Sequence, residues 1–179
     1  LPYDAARDEA PRNDTDIFVI AIDGGTPRRL TTLDGNEGSL AWSPDGRSLA
    51  FTSSTTRTGQ EELRIVDVAG GTPREVIGDW RYEPGDIAWT PDGQILMTAA
   101  IGGRTALFRV DPRTGALDEL LGGRRRITGT AYDTAFSRVA FVATAIDAPT
   151  ELFIANIDGT GERQLTSFNA ALNEEIAWS

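Results

Sequence analysis

Asp23-Gly24-Gly25-Thr26-Pro27-Arg28-Arg29-Leu30 and Asp158-Gly159-Thr160-Gly161-Glu162-Arg163-Gln164-Leu165 say nearly the same thing 135 residues apart, which is three steps of 45. Intermediate copies occupy the steps between: Leu30 recurs as Val76, Leu120 and Leu165, at spacings of 46, 44 and 45. A second series, Trp42, Trp89, Tyr132 and Trp178, runs in counterphase at spacings of 47, 43 and 46. A period of this size with four short strands per unit is that of a β-propeller, in which each repeat is one blade.

The most regular copy gives the grammar of a blade. Ser39-Leu40-Ala41-Trp42 reads as an inner strand, and Ser43-Pro44-Asp45-Gly46 turns it, with Pro44 presetting φ and Gly46 free to take the left-handed conformation. Arg47 to Thr52 returns, Leu63 to Val68 alternates as a third strand, and Arg74 to Ile77 is the outer strand after the Gly70-Gly71-Thr72-Pro73 turn. The grammar repeats from Asp86 to Leu121 and from Ile127 to Phe168. In the last copy Tyr132-Asp133-Thr134-Ala135-Phe136 replaces the Trp and its Pro-Asp-Gly turn, so a remodelled turn is expected there.

At its two ends the pattern breaks in mid-blade. The sequence therefore predicts an all-β chain of four-stranded antiparallel blades, an incomplete β-propeller of about three and a half blades from a seven- or eight-bladed ring. An outer half-blade is expected over 1–33, blades over 38–78, 85–122 and 127–168, and the first strand of a further blade over 174–179. The competing arrangement is a closed four-bladed ring, with the Trp178 strand docked beside the half-blade and Leu1-Pro2-Tyr3 supplying a missing strand.

Composition narrows the function. The chain has 179 residues with 40% hydrophobic and 25% charged content, as expected of a globular protein. A net charge of −10 repels a phosphate backbone, and nucleic acid is not an expected partner. No apolar run approaches the length of a membrane span, and no basic segment followed by an apolar core opens the chain. All 17 basic residues are Arg, read as the codon bias of a GC-rich genome, and Cys is absent, which fits a cytoplasmic protein.

Trp42-Ser43-Pro44-Asp45-Gly46-Arg47-Ser48-Leu49-Ala50-Phe51, with its copy at Trp89, resembles the repeat of TolB-type propellers, shared by periplasmic binding proteins and by the propellers of prolyl oligopeptidase family serine peptidases. Glu151 to Leu172, with Glu162-Arg163-Gln164-Leu165-Thr166 as outer strand and an Asn-containing linker after it, resembles the last propeller segment of acylaminoacyl-peptidase-like members. Arg12 to Thr32 resembles the middle of the same propeller. The resemblance implies a ring capping a separate α/β-hydrolase domain that cleaves peptides with a Ser-Asp-His triad.

No such triad can be built from this chain, which has no His, no Lys and no Gly-x-Ser-x-Gly serine. No catalytic residue is assigned, and the chain alone should be inactive. Asp23, Asp67, Asp111 and Asp158 end third strands and enter Gly turns, where a short carboxylate bonds the local backbone. Asp34-Gly35-Asn36-Glu37-Gly38 lacks the twelve-residue spacing of a calcium loop, so neither a metal nor another cofactor is expected. The recurring aromatics Trp42, Trp89, Tyr132 and Trp178 are read as filling the contacts between blades.

The candidate contact residues are Arg81 and Tyr82, beside the off-pattern Trp80, and the cluster Arg124-Arg125-Arg126. All lie in connections between blades, which emerge on the same rim as the loops near Arg57 and Arg104. The leading expectation is a non-catalytic propeller segment that gates and positions peptides over a hydrolase domain. Its partners would be that domain, the remaining blades and the peptide substrate. The competing expectation is a TolB-like module that binds a protein partner. Exposed edge strands leave homo-oligomerisation open in either case.

Overall fold

The computed structural model describes residues 15–33, 35–54 and 59–175. Strands β1 (Phe18–Val19) and β2 (Arg28–Arg29) pair as a two-stranded sheet. Next come β3 (Glu37–Trp42), β4 (Ser48–Ser53), β5 (Glu62–Asp67) and β6 (Arg74–Glu75), an antiparallel four-stranded blade in sequence order. Two more units of the same order follow. The first is β7 (Pro84–Trp89), β8 (Ile95–Ile101), β9 (Arg104–Val110) and β10 (Leu117–Leu121). The second is β11 (Arg125–Tyr132), β12 (Arg138–Ala145), β13 (Ala148–Asn156) and β14 (Arg163–Gln164). A single parallel bridge, Arg126 to Thr105, joins the inner strand β11 of the second of these units to the start of β9, the third strand of the first. Among the described residues the sheet does not close on itself, and their strands form an incomplete propeller.

Strand alternation decides which blade each side chain touches. On β4, Leu49 and Phe51 face β1 and β2 in a core with Ile17, Leu30 and Val66, while Ala50 faces the following blade. On β8, Ile95 and Met97 face back into that same core between first and second blades, and Leu96 faces forward. On β12, Val139 and Phe141 again face back, joining Leu96, Leu107 and Ile127. Each interface is therefore built from the backward face of one blade and the forward face of the one before.

Two backbone contacts recur with the repeat. An added side chain at Gly115, in the β9–β10 turn, would lie 2.5 Å from the Val76 carbonyl oxygen of the preceding blade; at Gly159, in the β13–β14 turn, it would lie 2.1 Å from that of Leu120. Each has φ near +80°, so glycine is required twice over, for conformation and for close approach. Arg74 of β6 donates to the Pro112 carbonyl at 2.7 Å, and Arg28 of β2 donates likewise to that of Val68. An outer-strand arginine thus latches the chain just past the third strand of the next blade.

The recurring aromatics Trp89 and Tyr132 pack backwards into the contacts between blades as expected, whereas Trp42 does not. Trp89 packs against the core between first and second blades and Tyr132 against the next. Trp42 is 52% exposed. Its backward neighbour would be an inner strand, and the described residues on that side supply only β1 and β2. The third inner turn is not remodelled either. Phe136 takes φ +51°, where Gly46 has +68° and Gly93 +82°, and its N–H bonds the Asp133 carbonyl at 3.0 Å as Gly46 bonds Ser43 at 2.9 Å. Stacking on Tyr132, with centroids 5.1 Å apart, holds the aromatic in that left-handed position.

At the C-terminal side the chain turns into helix α1 (Ala170–Glu175). Residues 174 and 175, expected in the first strand of a further blade, are helical; the rest of that segment, with Trp178, lies outside the described residues. So do Leu1 to Tyr3, on which a closed four-bladed ring would rest. Glu151 anchors the approach to the helix, accepting from Asn169 N–H at 2.9 Å and from the Thr166 hydroxyl.

Candidate functional site

The connections at one end of the second and third blades surround a cleft of about 470 Å³. Its walls are the β8–β9 hairpin at Gly102 and Gly103, the start of β11, and the β12–β13 turn at Ala145 and Ile146. Arg104, Arg124, Arg125 and Arg126 all line it. The structure thus brings together the expected arginine cluster and the expected hairpin arginine. Arg57 lies outside the described residues.

The four guanidinium groups are not equivalent. Arg104 donates from both terminal nitrogens to Glu119 at 2.7 Å. Arg125 does the same to Glu162 at 2.6 Å, and its Nε donates to the Gly122 carbonyl at 2.8 Å. Its guanidinium also lies 5.3 Å from the Phe141 ring centroid and 5.7 Å from that of Phe153. Each partner responds: the arginine hydrogen bonds hold the Glu119 and Glu162 carboxyls below the ordinary carboxylate range. Arg124 and Arg126 are exposed, with no hydrogen-bonded or ion-paired acceptor among the described residues.

Gly122 couples the two fixed pairs. A side chain there would collide with Glu119 Oε1 at 1.9 Å and Arg104 Nη1 at 2.7 Å, so the first pair lies against bare backbone while the carbonyl of the same residue holds Arg125. Sequence reasoning missed Glu119, Gly122 and Glu162. The only available signal was Glu162 inside the opening repeat, where the related Asp23 segment has Pro27.

Arg81 and Tyr82 do not line this cleft. Tyr82 packs edge-on against Trp80 at 5.3 Å, and Trp80 in turn meets Phe108 at 5.5 Å within the core between first and second blades. The off-pattern Trp80 is a loop anchor, with Tyr82 40% exposed above it. The turn aspartates act locally: Asp67 accepts from Ala69 N–H at 2.7 Å, Asp111 from Arg113 N–H at 2.8 Å and Asp158 from Thr160 N–H at 2.9 Å. Among the described residues no three acidic side chains gather as a metal site would need, and no helix is long and apolar enough to cross a membrane.

Fold and rim together define a β-propeller module with TolB-type repeats and a basic cleft between two blades. Its structural neighbours are TolB-like propellers and the propeller domains of acylaminoacyl peptidases and related enzymes of the prolyl oligopeptidase family. An acylaminoacyl peptidase from Pyrococcus horikoshii superposes with a TM-score of 0.71 at 22% identity, covering 96% of this chain and 26% of that one. TolB from Acinetobacter baumannii gives 0.69 at 23%, covering 84% and 37%. In sequence, a TolB homolog of Chlorobium luteolum is 36% identical over 61 residues, 34% of this chain and 14% of that protein. No family model matches the chain. The matched stretch spans 24% or less of the curated relatives it is similar to.

Proposed function

We propose that the chain is a non-catalytic propeller segment of a serine peptidase of the acylaminoacyl-peptidase or oligopeptidase type, which gates and positions peptides over a separate α/β-hydrolase domain. The observation that carries this reading is the likeness to an acylaminoacyl peptidase along 96% of the chain, combined with a sequence that has no histidine. A propeller of this kind selects by size, its rigid blades admitting short or unstructured peptides. The two blade faces left uncovered among the described residues are suited to the remaining blades. On the forward face of the third blade, Ala140 pairs with Ile154 and Val142 with Leu152, all four half-buried. At the other end Phe18 and Ile20 are exposed. The cytoplasmic location expected from the cysteine-free sequence belongs to the same proposal.

The second reading is a TolB-like module that recognises a protein partner, favoured by the local sequence match to a TolB homolog. A serine-reactive fluorophosphonate probe separates the two. The full-length protein that contains this chain should label at a serine outside residues 1–179 and hydrolyse short peptides. An unlabelled protein with no peptidase activity would leave the binding module.

A further inference from the structure

We propose that the cleft between the β8–β9 hairpin and the β12–β13 turn is a carboxylate subsite that receives the free C-terminus of a peptide whose last side chain is apolar. This deepens the peptidase reading and rests on it for the nature of the ligand as a peptide. Of the four guanidinium groups lining the cleft, Arg104 and Arg125 are each neutralised by a bidentate carboxylate. Arg124 and Arg126 remain, both lining the cleft, exposed and unpaired among the described residues, in a chain whose net charge is −10. Two uncompensated cations concentrated in one concavity of an acidic protein focus a local positive field.

The scaffold beneath them is fixed. Arg126 is held on both sides, paired with Thr105 across one edge of β11 and with Thr144 across the other. Arg125 between them is locked to Glu162 and Gly122. Across the cleft Ile146 is 83% exposed. The opposite hairpin is bare at Gly102 and Gly103, where an added side chain would meet nothing within 4 Å.

A ligand that uses both parts carries a compact anion and an apolar group. A volume of about 470 Å³ suits one or two peptide residues. Guanidinium groups bind carboxylate through paired hydrogen bonds, while Ala145 and Ile146 offer an apolar side chain its contact. A polyanion is disfavoured by the charge of the whole chain. Inorganic phosphate would leave Ile146 unused.

The test uses the full-length protein and N-terminally fluorescein-labelled Ala-Ala-Leu, as the free acid and as the C-terminal amide, followed by anisotropy. The acid should bind at least about ten-fold tighter than the amide, a difference of about 1.4 kcal/mol, and the margin should shrink with added salt. In Arg124→Ala/Arg126→Ala the margin should fall below about two-fold with the circular dichroism spectrum unchanged. Ile146→Asp, a change at an exposed turn, should erase it as well and decides the matter if the double variant fails to fold. Equal affinity for acid and amide in the wild type, a margin that survives both variants, or competition by inorganic phosphate as strong as by the peptide would overturn the proposal. Binding is read without turnover, so a protein that fails to label with fluorophosphonate yet keeps the acid–amide margin loses the peptidase reading and retains the subsite.

Discussion

Arg125 and Glu162, 37 residues apart in sequence, close on each other through two hydrogen bonds of 2.6 Å across the third blade. The guanidinium between them covers the rings of Phe141 and Phe153, and its Nε ties the β10–β11 connection through Gly122. This arginine is structural. Its neighbours on either side in sequence are exposed and, among the described residues, unpaired, so one short basic run is divided between holding the rim and facing solvent.

Arg125→Ala should therefore destabilise the protein by about 1–3 kcal/mol, the range of a charge-assisted bidentate contact with cation–π support. Arg125→Lys should recover only part, because an ammonium cannot form the fork or stack flat on the rings. Urea denaturation of the three proteins at equal m-values checks both statements, and a tolerated alanine would contradict the staple.

Two glycines should behave in opposite ways. Gly159→Ala pushes a methyl into the Leu120 carbonyl at a left-handed φ, and neither backbone can yield cheaply. A loss of about 3 kcal/mol or more is expected, from steric strain added to the left-handed penalty. Gly122→Ala meets only the tips of Glu119 and Arg104, which can swing out, and should cost less than about 1 kcal/mol. Thermal melts of the pair would show the ordering; equal losses would mean that the contact with Leu120 is not sustained in solution.

Trp80 tests whether the off-pattern aromatic is an anchor. Trp80→Ala should cost about 3 kcal/mol through lost packing on Phe108 and the surrounding core. Its Nε1 is buried without an acceptor among the described residues, so Trp80→Phe should be tolerated far better. A phenylalanine variant as unstable as the alanine one would show that the indole N–H has a partner after all.

Acidic pH should act on two carboxylates with opposite signs. Glu162 is held below its usual value of 4.5 by Arg125, so its contribution is fully present above about pH 4.5 and is lost as the pH falls through its lowered folded-state value. Glu37 is shifted upward by burial, partly opposed by the Thr31 hydroxyl, so its ionised form weighs against folding as the pH rises past 4.5. Glu37→Gln should raise Tm at pH 7, and Glu162→Gln should lower Tm at pH 7 while flattening the acid limb of its pH profile. Calorimetric scans between pH 3 and 8 provide the readout.

The repeat made the blades legible because a blade is a local object. Alternating runs such as Leu63 to Val68 and turns such as Ser43 to Gly46 are set by backbone propensity and period within a few residues. The third inner turn shows the limit: Tyr132 to Phe136 has no glycine, yet the same turn forms because Phe136 gains a stacking partner in Tyr132. The basic rim was partly legible, since strand alternation places the β10–β11 connection and the β8–β9 hairpin at one end.

The sequence by itself determined an all-β chain of repeated four-stranded blades with arginines gathered on one rim and no histidine for acid–base catalysis. Only the tertiary structure decided which arginines are fixed and which face an open cleft, that Trp42 is exposed while Trp89 is packed, and that Gly115 and Gly159 must be bare. The physical reason is the same in each case. Glu119, Glu162, Val76 and Leu120 are brought to their partners by strand pairing within a blade or packing between blades, and no local pattern of residues records which distant carboxylate or carbonyl will arrive.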